Sequence, residues 1–401
     1  MSLLTKLLLL IVAARLLGRL FERFGQPAIV GEMLAGVLLG PAVLNLLEPN
    51  EALHGISDLA VFLVVLSAGL EMEFRSVIDS LKGRGLVIAT LGFLVPMSAG
   101  IGVGFAYGLD TMRIIFLGLC VSITALPVAV RILQKFNLLD SEIARYSVAT
   151  AILNDVTALL ALGVLLNLPT QFSLGAVGAS ILITASKLIV LALFILGFNW
   201  LVELLIRRGV RIPRWSEKLV EVVGPEALFG ILVVFVLAFG SVSEALGFHF
   251  VIGAFFGALL IDRKFFLASR FSELDHTLRS VTDGFLGPVF FATIGLEFQA
   301  GKIQSLDFAL AVLAVSIVSK LAAGWAGARL IGLRSTDALG IGIILNGRGV
   351  MELVIASIAY HRGFIGQGLF SVLVLMGVLT TVVTPILFQR WVMPRLPEKT
   401  A

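Results

Sequence analysis

Asn154 and Asp155 stand side by side in SVATAILNDVTALLALGVLL (147–166), a stretch that is otherwise almost wholly apolar. A carboxylate in such surroundings must be protonated, paired, or bound to a cation. An ionisable side chain at the centre of a membrane helix costs about 2.5–3.5 kcal/mol on insertion scales and marks a functional site by default. Burial favours the proton and a nearby cation favours the carboxylate. One buried carboxylate therefore holds either a proton or a small alkali cation, and each displaces the other. Hard cations take oxygen ligands. Asn154, Thr124, Ser122 and backbone carbonyls are the candidates beside Asp155.

Lys320 lies midway along VLAVSIVSKLAAGWAGARL (312–330), placed to pair with Asp155 or Asn154 or to stabilise the C-terminal end of a broken helix. Arg348 and Glu352 are four residues apart and share a helix face. Their expected role is charge compensation for a broken helix, with gating second. Glu32 falls in a glycine-rich stretch whose Gly36 and Gly40 have the spacing of close helix packing. Arg15, Lys187 and Glu226 complete the charges in or near apolar segments, and Lys187 and Glu226 are candidates for a pair.

The elements that hold these side chains are transmembrane helices. Of the 401 residues, 58% are hydrophobic and 14% charged, and the mean hydropathy is +1.04. Soluble domains average about 45–50% apolar and 25% charged. A soluble enzyme, a disordered chain and a nucleic-acid-binding protein are excluded. Apolar runs long enough to cross a bilayer recur from end to end. About thirteen spans are predicted: 3–24, 27–45, 54–70, 86–107, 111–133, 143–167, 174–205, 224–243, 248–261, 282–298, 305–331, 336–359 and 366–390. The first 24 residues read as a span, because arginines follow the apolar run and no small-residue cleavage site is evident. The single cysteine, Cys120, forbids an intramolecular disulfide, and none of the four histidines sits at metal-ligand spacing from another.

Loop charge sets the expected orientation. Numbered alternately, one set of loops carries about 22 of the thirty Lys and Arg residues, and the other only Lys6, Arg113, Lys302 and Arg362. This predicts a cytoplasmic C-terminus, an outside N-terminus and a place in the cell's inner (plasma) membrane. The pI near 9.4 is a consequence of that topology.

Internal similarity appears at a common offset. AGVLLGP (35–41) resembles FGALLID (256–262), SAGLEMEF (67–74) resembles TIGLEFQA (293–300), and SITALPVAV (122–130) falls opposite NGRGVMELV (346–354). The shift, about 221–226 residues, moves seven spans along, so the second copy is inverted. Both members of the third pair are interrupted: Pro127 lacks an N–H, and Gly347 and Gly349 weaken the other helix. Paired broken helices are the best sequence pointer to a transporter site. Broken backbone at that depth survives only beside a cavity or inside protein.

QPAIVGEMLAGVLLGP (26–41), SAGLEMEF, the Asn154-Asp155 pair and GRG (347–349) together resemble the monovalent cation/proton antiporter superfamily, nearest its CPA2 group of NapA-type and Kef-type bacterial antiporters and plant cation/H+ exchangers. The resemblance covers nearly the whole chain. It implies an all-α polytopic fold of the NhaA/NapA kind, with about thirteen transmembrane helices, inverted repeats and two crossing interrupted helices. It implies a dimerisation part (1–85 and 218–300), an ion-translocating core (86–170 and 305–390) and a linker (171–217). It further implies a homodimer and elevator-type movement, with Asp155 as the cation- and proton-binding carboxylate, Thr124 and Ser122 at the crossing, and Lys320 as the lysine of NapA-type spans. No cofactor, enzyme activity or nucleic acid is expected; the substrates are Na+ or K+ and H+, and pH homeostasis is one role that fits.

Two departures matter. Strongly electrogenic members carry Asp-Asp where this chain has Asn154-Asp155, so one-for-one, electroneutral exchange is expected if Lys320 keeps its proton. Kef-type systems carry a nucleotide-binding domain after the last span; no GxGxxG after a strand appears here, and regulation of that kind is not expected. The competing reading is a sodium-coupled symporter of a small organic anion on the same architecture. An intramembrane enzyme would need a Ser–His, paired-Asp or His-metal arrangement that the spacing does not offer.

Overall fold

The computed structural model describes residues 1–72, 83–168, 174–208, 217, 221–222, 224 and 226–396. Arg75, Lys82, Arg211, Arg214, Lys218 and Lys399 of the loop-charge count lie outside the described residues, as do parts of the linker and the side chain of Glu226, and with it the Lys187–Glu226 pair. Among the described residues all regular structure is helical. The helices are α1 (Leu3–Arg23), α2 (Ala28–Leu39), α3 (Glu51–Glu71), α4 (Gly85–Ala106), α5 (Thr111–Ser122), α6 (Leu126–Lys135), α7 (Glu142–Leu165) and α8 (Leu174–Arg207). They continue with α9 (Glu226–Ala245), α10 (Phe250–Leu259), α11 (Ala268–Val281), α12 (Gly287–Glu297), α13 (Leu306–Leu330), α14 (Ser335–Ile344), α15 (Val350–His361) and α16 (Gln367–Trp391). Among the described residues, eight segments are long and apolar enough to cross a membrane, including α4, the combined stretch Thr111–Lys135, α7 and α13. The chain is a multi-pass, all-helical membrane protein.

One element departs from the sequence reading. Residues 262–281 carry no apolar run and read as a loop, yet α11 is a fourteen-residue helix there. Its exposed face is held by spaced charges: Arg270 to Glu273 at 3.1 Å and Arg279 to Asp275 at 2.9 Å. Pairs at three and four residues stabilise a helix that hydropathy does not reveal. A π-helical turn, Thr282–Leu286, joins α11 to α12.

The residues group into two compact units, one drawn from Met1–Asp58, Val77–Ala158 and Pro288–Ala401, the other from Leu59–Ser76 and Leu159–Gly287. The first contains every residue of the candidate site. Within it, α2 and α12 touch backbone to backbone. A Cβ on Gly36 would lie 1.9 Å from the Ala292 carbonyl oxygen, and one on Gly295 would lie 2.1 Å from that of Met33. The second unit repeats the motif: a Cβ on Gly69 would lie 2.7 Å from the Ala258 Cβ and 2.8 Å from the Phe255 carbonyl oxygen. Gly69 aligns with Gly295 in the sequence repeat, and α10 aligns with α2. One small-residue contact is thus built twice, by α2 with α12 and by α10 with α3.

Gly36→Ala forces the α2 and α12 backbones apart, a strain of about 1–3 kcal/mol. The expected result is a melting temperature several degrees lower in detergent. Gly55→Ala, where a Cβ meets nothing within 4 Å, is the matched control. Equal melting of the two variants would show that the α2–α12 contact does not limit stability.

Candidate functional site

Pro127 occupies the first turn of α6, where its missing N–H costs nothing. The price falls upstream: Ile123 and Ala125 are extended, and α5 stops at Ser122. Opposite, α14 ends at Ile344, the Asn346 and Gly347 N–H groups close its last turn on the Ile343 and Ile344 carbonyls at 3.0 and 2.9 Å, and α15 starts at Val350. The two breaks bond to each other. Ala125 N–H donates to the Gly347 carbonyl at 2.9 Å, and the Thr124 hydroxyl donates to the Leu345 carbonyl at 2.9 Å. Thr124 and Leu345 are 221 residues apart, close to the 224-residue offset at which 122–130 falls opposite 346–354. Repeat-related segments therefore meet at the crossing.

Ending α5 here leaves its last carbonyls without helical partners. Arg348 takes two of them, donating through Nη1 to Cys120 and through Nη2 to Val121, the latter at 2.6 Å. Lys320 takes the third, Ser122. Two cations thus sit at the negative end of the half-helix, as its dipole favours. Glu352 lies in the first turn of α15, at the positive end of that half-helix. Its carboxylate is 3.8 Å from Arg348 Nε, and neither of its oxygens has a hydrogen-bond partner. The Arg348 carbonyl is held in turn by the Thr381 hydroxyl of α16 at 2.9 Å.

Lys320 is fully buried. Its ammonium has three donors, and all three are engaged: with the Ser122 carbonyl, the Gly92 carbonyl at 2.9 Å and the Thr124 hydroxyl at 2.7 Å. Among the described residues it forms no ion pair with Asp155. Of the expected roles, it takes that of capping the broken helix. The Thr124 hydroxyl is also saturated. It donates to Leu345 and accepts from Lys320 and from Asn154 Nδ2 at 3.4 Å. The Ser122 hydroxyl donates back to Leu119 at 2.7 Å, so Ser122 joins the network through its carbonyl.

Asp155 is 1% exposed, and its Oδ1 has no hydrogen-bond partner. Lys320 is near enough to act on it electrostatically. Ser122, Thr124, Asn154 and Lys320 are thus directly linked, Asp155 adjoins them through Asn154, and Arg348 with Glu352 caps the same crossing. The sequence reading missed the Gly92 carbonyl, Thr381 and the buried unpartnered hydroxyls of Ser147 and Thr150. The signal for the last two was present: 147, 150 and 154 fall at helical spacing along α7.

The family model described as "Sodium/hydrogen exchanger, transmembrane" matches residues 8–393. The chain belongs to this family. With it the exchanger falls in the monovalent cation/proton antiporter superfamily. It is 27% identical over 384 residues to a Na(+)/H(+) antiporter of Enterococcus hirae, covering 96% of each chain. It is 26% identical over 379 residues to the Na(+)/H(+)-K(+) antiporter GerN of Bacillus cereus, covering 94% of this exchanger and 93% of that protein. Cation/H(+) antiporter 20 of Arabidopsis thaliana is 28% identical over 402 residues; 94% of the exchanger matches 47% of that longer protein. Among solved structures, the sodium proton antiporter MjNhaP1 of Methanocaldococcus jannaschii superposes with a TM-score of 0.66 at 16% identity, covering 98% of the exchanger and 97% of that chain. That likeness establishes the NhaA-like antiporter fold.

Proposed function

We propose that the protein exchanges Na+ or K+ for H+, one for one, with Asp155 holding cation and proton in turn. The observation that carries this reading is the buried Asp155 oxygen without a partner, beside a lysine whose donors are fully engaged elsewhere. A carboxylate so placed is stabilised by taking up either a proton or a cation. The relatives' names, all of cation/proton antiporters, support it and give no support to an organic-anion symporter.

Electroneutrality follows from the lysine. Deprotonating Lys320 would leave a neutral amine with two N–H donors for three buried oxygens, and the one unmade bond costs about 1–3 kcal/mol. Lys320 then stays charged, and Asn154 has no proton to release. The site bears the same total charge with a proton or with a monovalent cation. In this reading a core of 86–170 and 305–390 carries the site across the membrane against a dimer-forming part of 1–85 and 218–300, with 171–217 between them. The protein works as a homodimer in the inner membrane, N-terminus outside and C-terminus cytoplasmic, and needs no cofactor.

The test is cation-driven proton flux in proteoliposomes with an internal pH dye, comparing Na+, K+ and Li+. A parallel Na+ or Li+ run clamps the voltage with valinomycin and balanced K+. Flux unchanged by the clamp is the expected result. Flux that responds to it means net charge moves and Lys320 titrates. Absence of proton flux with every alkali cation sets the exchange reading aside.

A further inference from the structure

His54, Glu297 and His361 come from three distant parts of the chain and meet at helix ends: His54 in the first turn of α3, Glu297 at the last residue of α12, His361 at the last residue of α15. Glu297 Oε1 is 3.3 Å from His54 Nδ1 and 2.9 Å from His361 Nε2. One ligand atom from each residue lies within 4.8 Å of the others. The two imidazoles pack edge to face, centroids 4.9 Å apart.

The surroundings are those of a metal site. His361 Nδ1 faces the Ser357 hydroxyl at 3.3 Å. Such a contact to the second ring nitrogen fixes the orientation of a ligating imidazole, and Nε2, now hydrogen-bonded to Glu297 Oε1, is the atom that would meet the metal. The Glu297 backbone carbonyl accepts from Gln367, whose side-chain oxygen in turn accepts from Tyr360. Glu297 itself is 4% exposed, and its Oε2 has no hydrogen-bond partner. Among the described residues no lysine or arginine pairs with it. The buried carboxylate faces the two imidazoles, and a divalent cation would supply it with a strong counter-charge. His54 and His361 are part-exposed, which opens the group to solution.

We infer that His54, Glu297 and His361 bind a divalent transition-metal ion of the Zn2+ type, tying α15 to α3 and α12. Two imidazole nitrogens and one carboxylate suit Zn2+, Co2+ or Ni2+, with a fourth position for water. They do not suit alkali ions, Mg2+ or Ca2+, which take oxygen ligands. Tetrahedral Zn2+ with bonds of about 2.0–2.2 Å draws its ligand atoms to roughly the spacing already seen for the two His–Glu contacts. The site is separate from the Asp155 crossing. It nevertheless holds α15, which starts at Val350 just after Arg348 and carries Glu352 in its first turn, so a bound metal restrains the second broken helix.

The test is Co2+ titration of the purified full chain in detergent, read by the visible absorption of four-coordinate Co2+. Bands that appear with Co2+ and are bleached by Zn2+ are expected. His54→Gln and His361→Gln should each weaken binding by roughly 100-fold or more. His54→Gln, on a different helix, keeps the test informative if His361→Gln fails to fold. No bands with the unaltered chain, or bands that survive in His54→Gln, would overturn the site. The tie rests on the exchange reading: Zn2+ should slow proteoliposome flux of the unaltered protein and leave that of His54→Gln unchanged. Bands without inhibition by Zn2+ would overturn the tie. If the protein exchanges no ions at all, the Co2+ bands still decide the site.

Discussion

Replacing Asp155 with asparagine should bring cation-driven proton flux down to that of protein-free vesicles while leaving the melting temperature at or above that of the unaltered protein. Both halves follow from one geometry. Asparagine keeps the shape of the side chain but takes up no proton and offers no charge to a cation. A carboxylate and a monovalent cation 4 Å apart attract by about 4 kcal/mol at an effective dielectric of 20, equivalent to roughly a thousandfold in affinity. Losing that term removes cation binding, and losing the titratable proton removes the counter-transport. Stability behaves differently, because Asp155 Oδ1 has no hydrogen bond to lose and no ion pair joins Asp155 to Lys320 among the described residues. Taking away a buried charge without a close partner relieves desolvation. A melting temperature well below that of the parent would mean Asp155 is a structural anchor. Exchange at the parent's rate would remove it from the mechanism.

The same comparison shows what a sequence can and cannot disclose about such a site. Breaks are local events. Pro127 and the Gly347–Gly349 pair betray themselves by residue type, and the repeat offset already says which break faces which. Asp155 is equally visible, because one carboxylate in a mainly apolar stretch of twenty residues needs no neighbours to be conspicuous. What stays hidden is the division of hydrogen-bonding capacity among groups brought together from afar. Thr124, an obvious oxygen ligand by type, proves saturated by Leu345, Lys320 and Asn154. Residue type leaves Lys320 open to pairing with Asp155 or Asn154 or to capping a broken helix, and only the fold shows its bond to the Ser122 carbonyl, 198 residues away. The histidines are the extreme case: no spacing rule links His54 to His361, and only the end-to-end meeting of α3, α12 and α15 makes them neighbours. Helix α11 failed for the opposite reason, since its evidence was charge spacing in a stretch without hydrophobic contrast.

Arg348 carries the largest expected effect on stability. Its guanidinium bonds two carbonyls in the last turn of α5, is fully buried, and is the only cation within 4 Å of Glu352 among the described residues. Arg348→Leu removes all of this at once. Two carbonyls lose their donors, at about 1–3 kcal/mol each where nothing replaces them. Glu352 is left as a buried carboxylate without a counter-ion, and breaking a buried pair from one side typically costs about 3–5 kcal/mol. These terms overlap and do not add, but either alone is a large share of a protein's stability. The expected result is a variant that melts far below the parent in detergent, or fails to accumulate in the membrane. Arg348→Lys should recover only part, because a single ammonium cannot hold two carbonyls in the fixed fork of a guanidinium. Glu352→Gln separates the two contributions. It leaves the bonds to Cys120 and Val121 in place and removes only the charge 3.8 Å away, so its loss should be clearly smaller. If Glu352→Gln melts as low as Arg348→Leu, the ion pair and not the capping of α5 holds the crossing together. If Arg348→Leu melts with the parent, the end of α5 is secured by Lys320 alone.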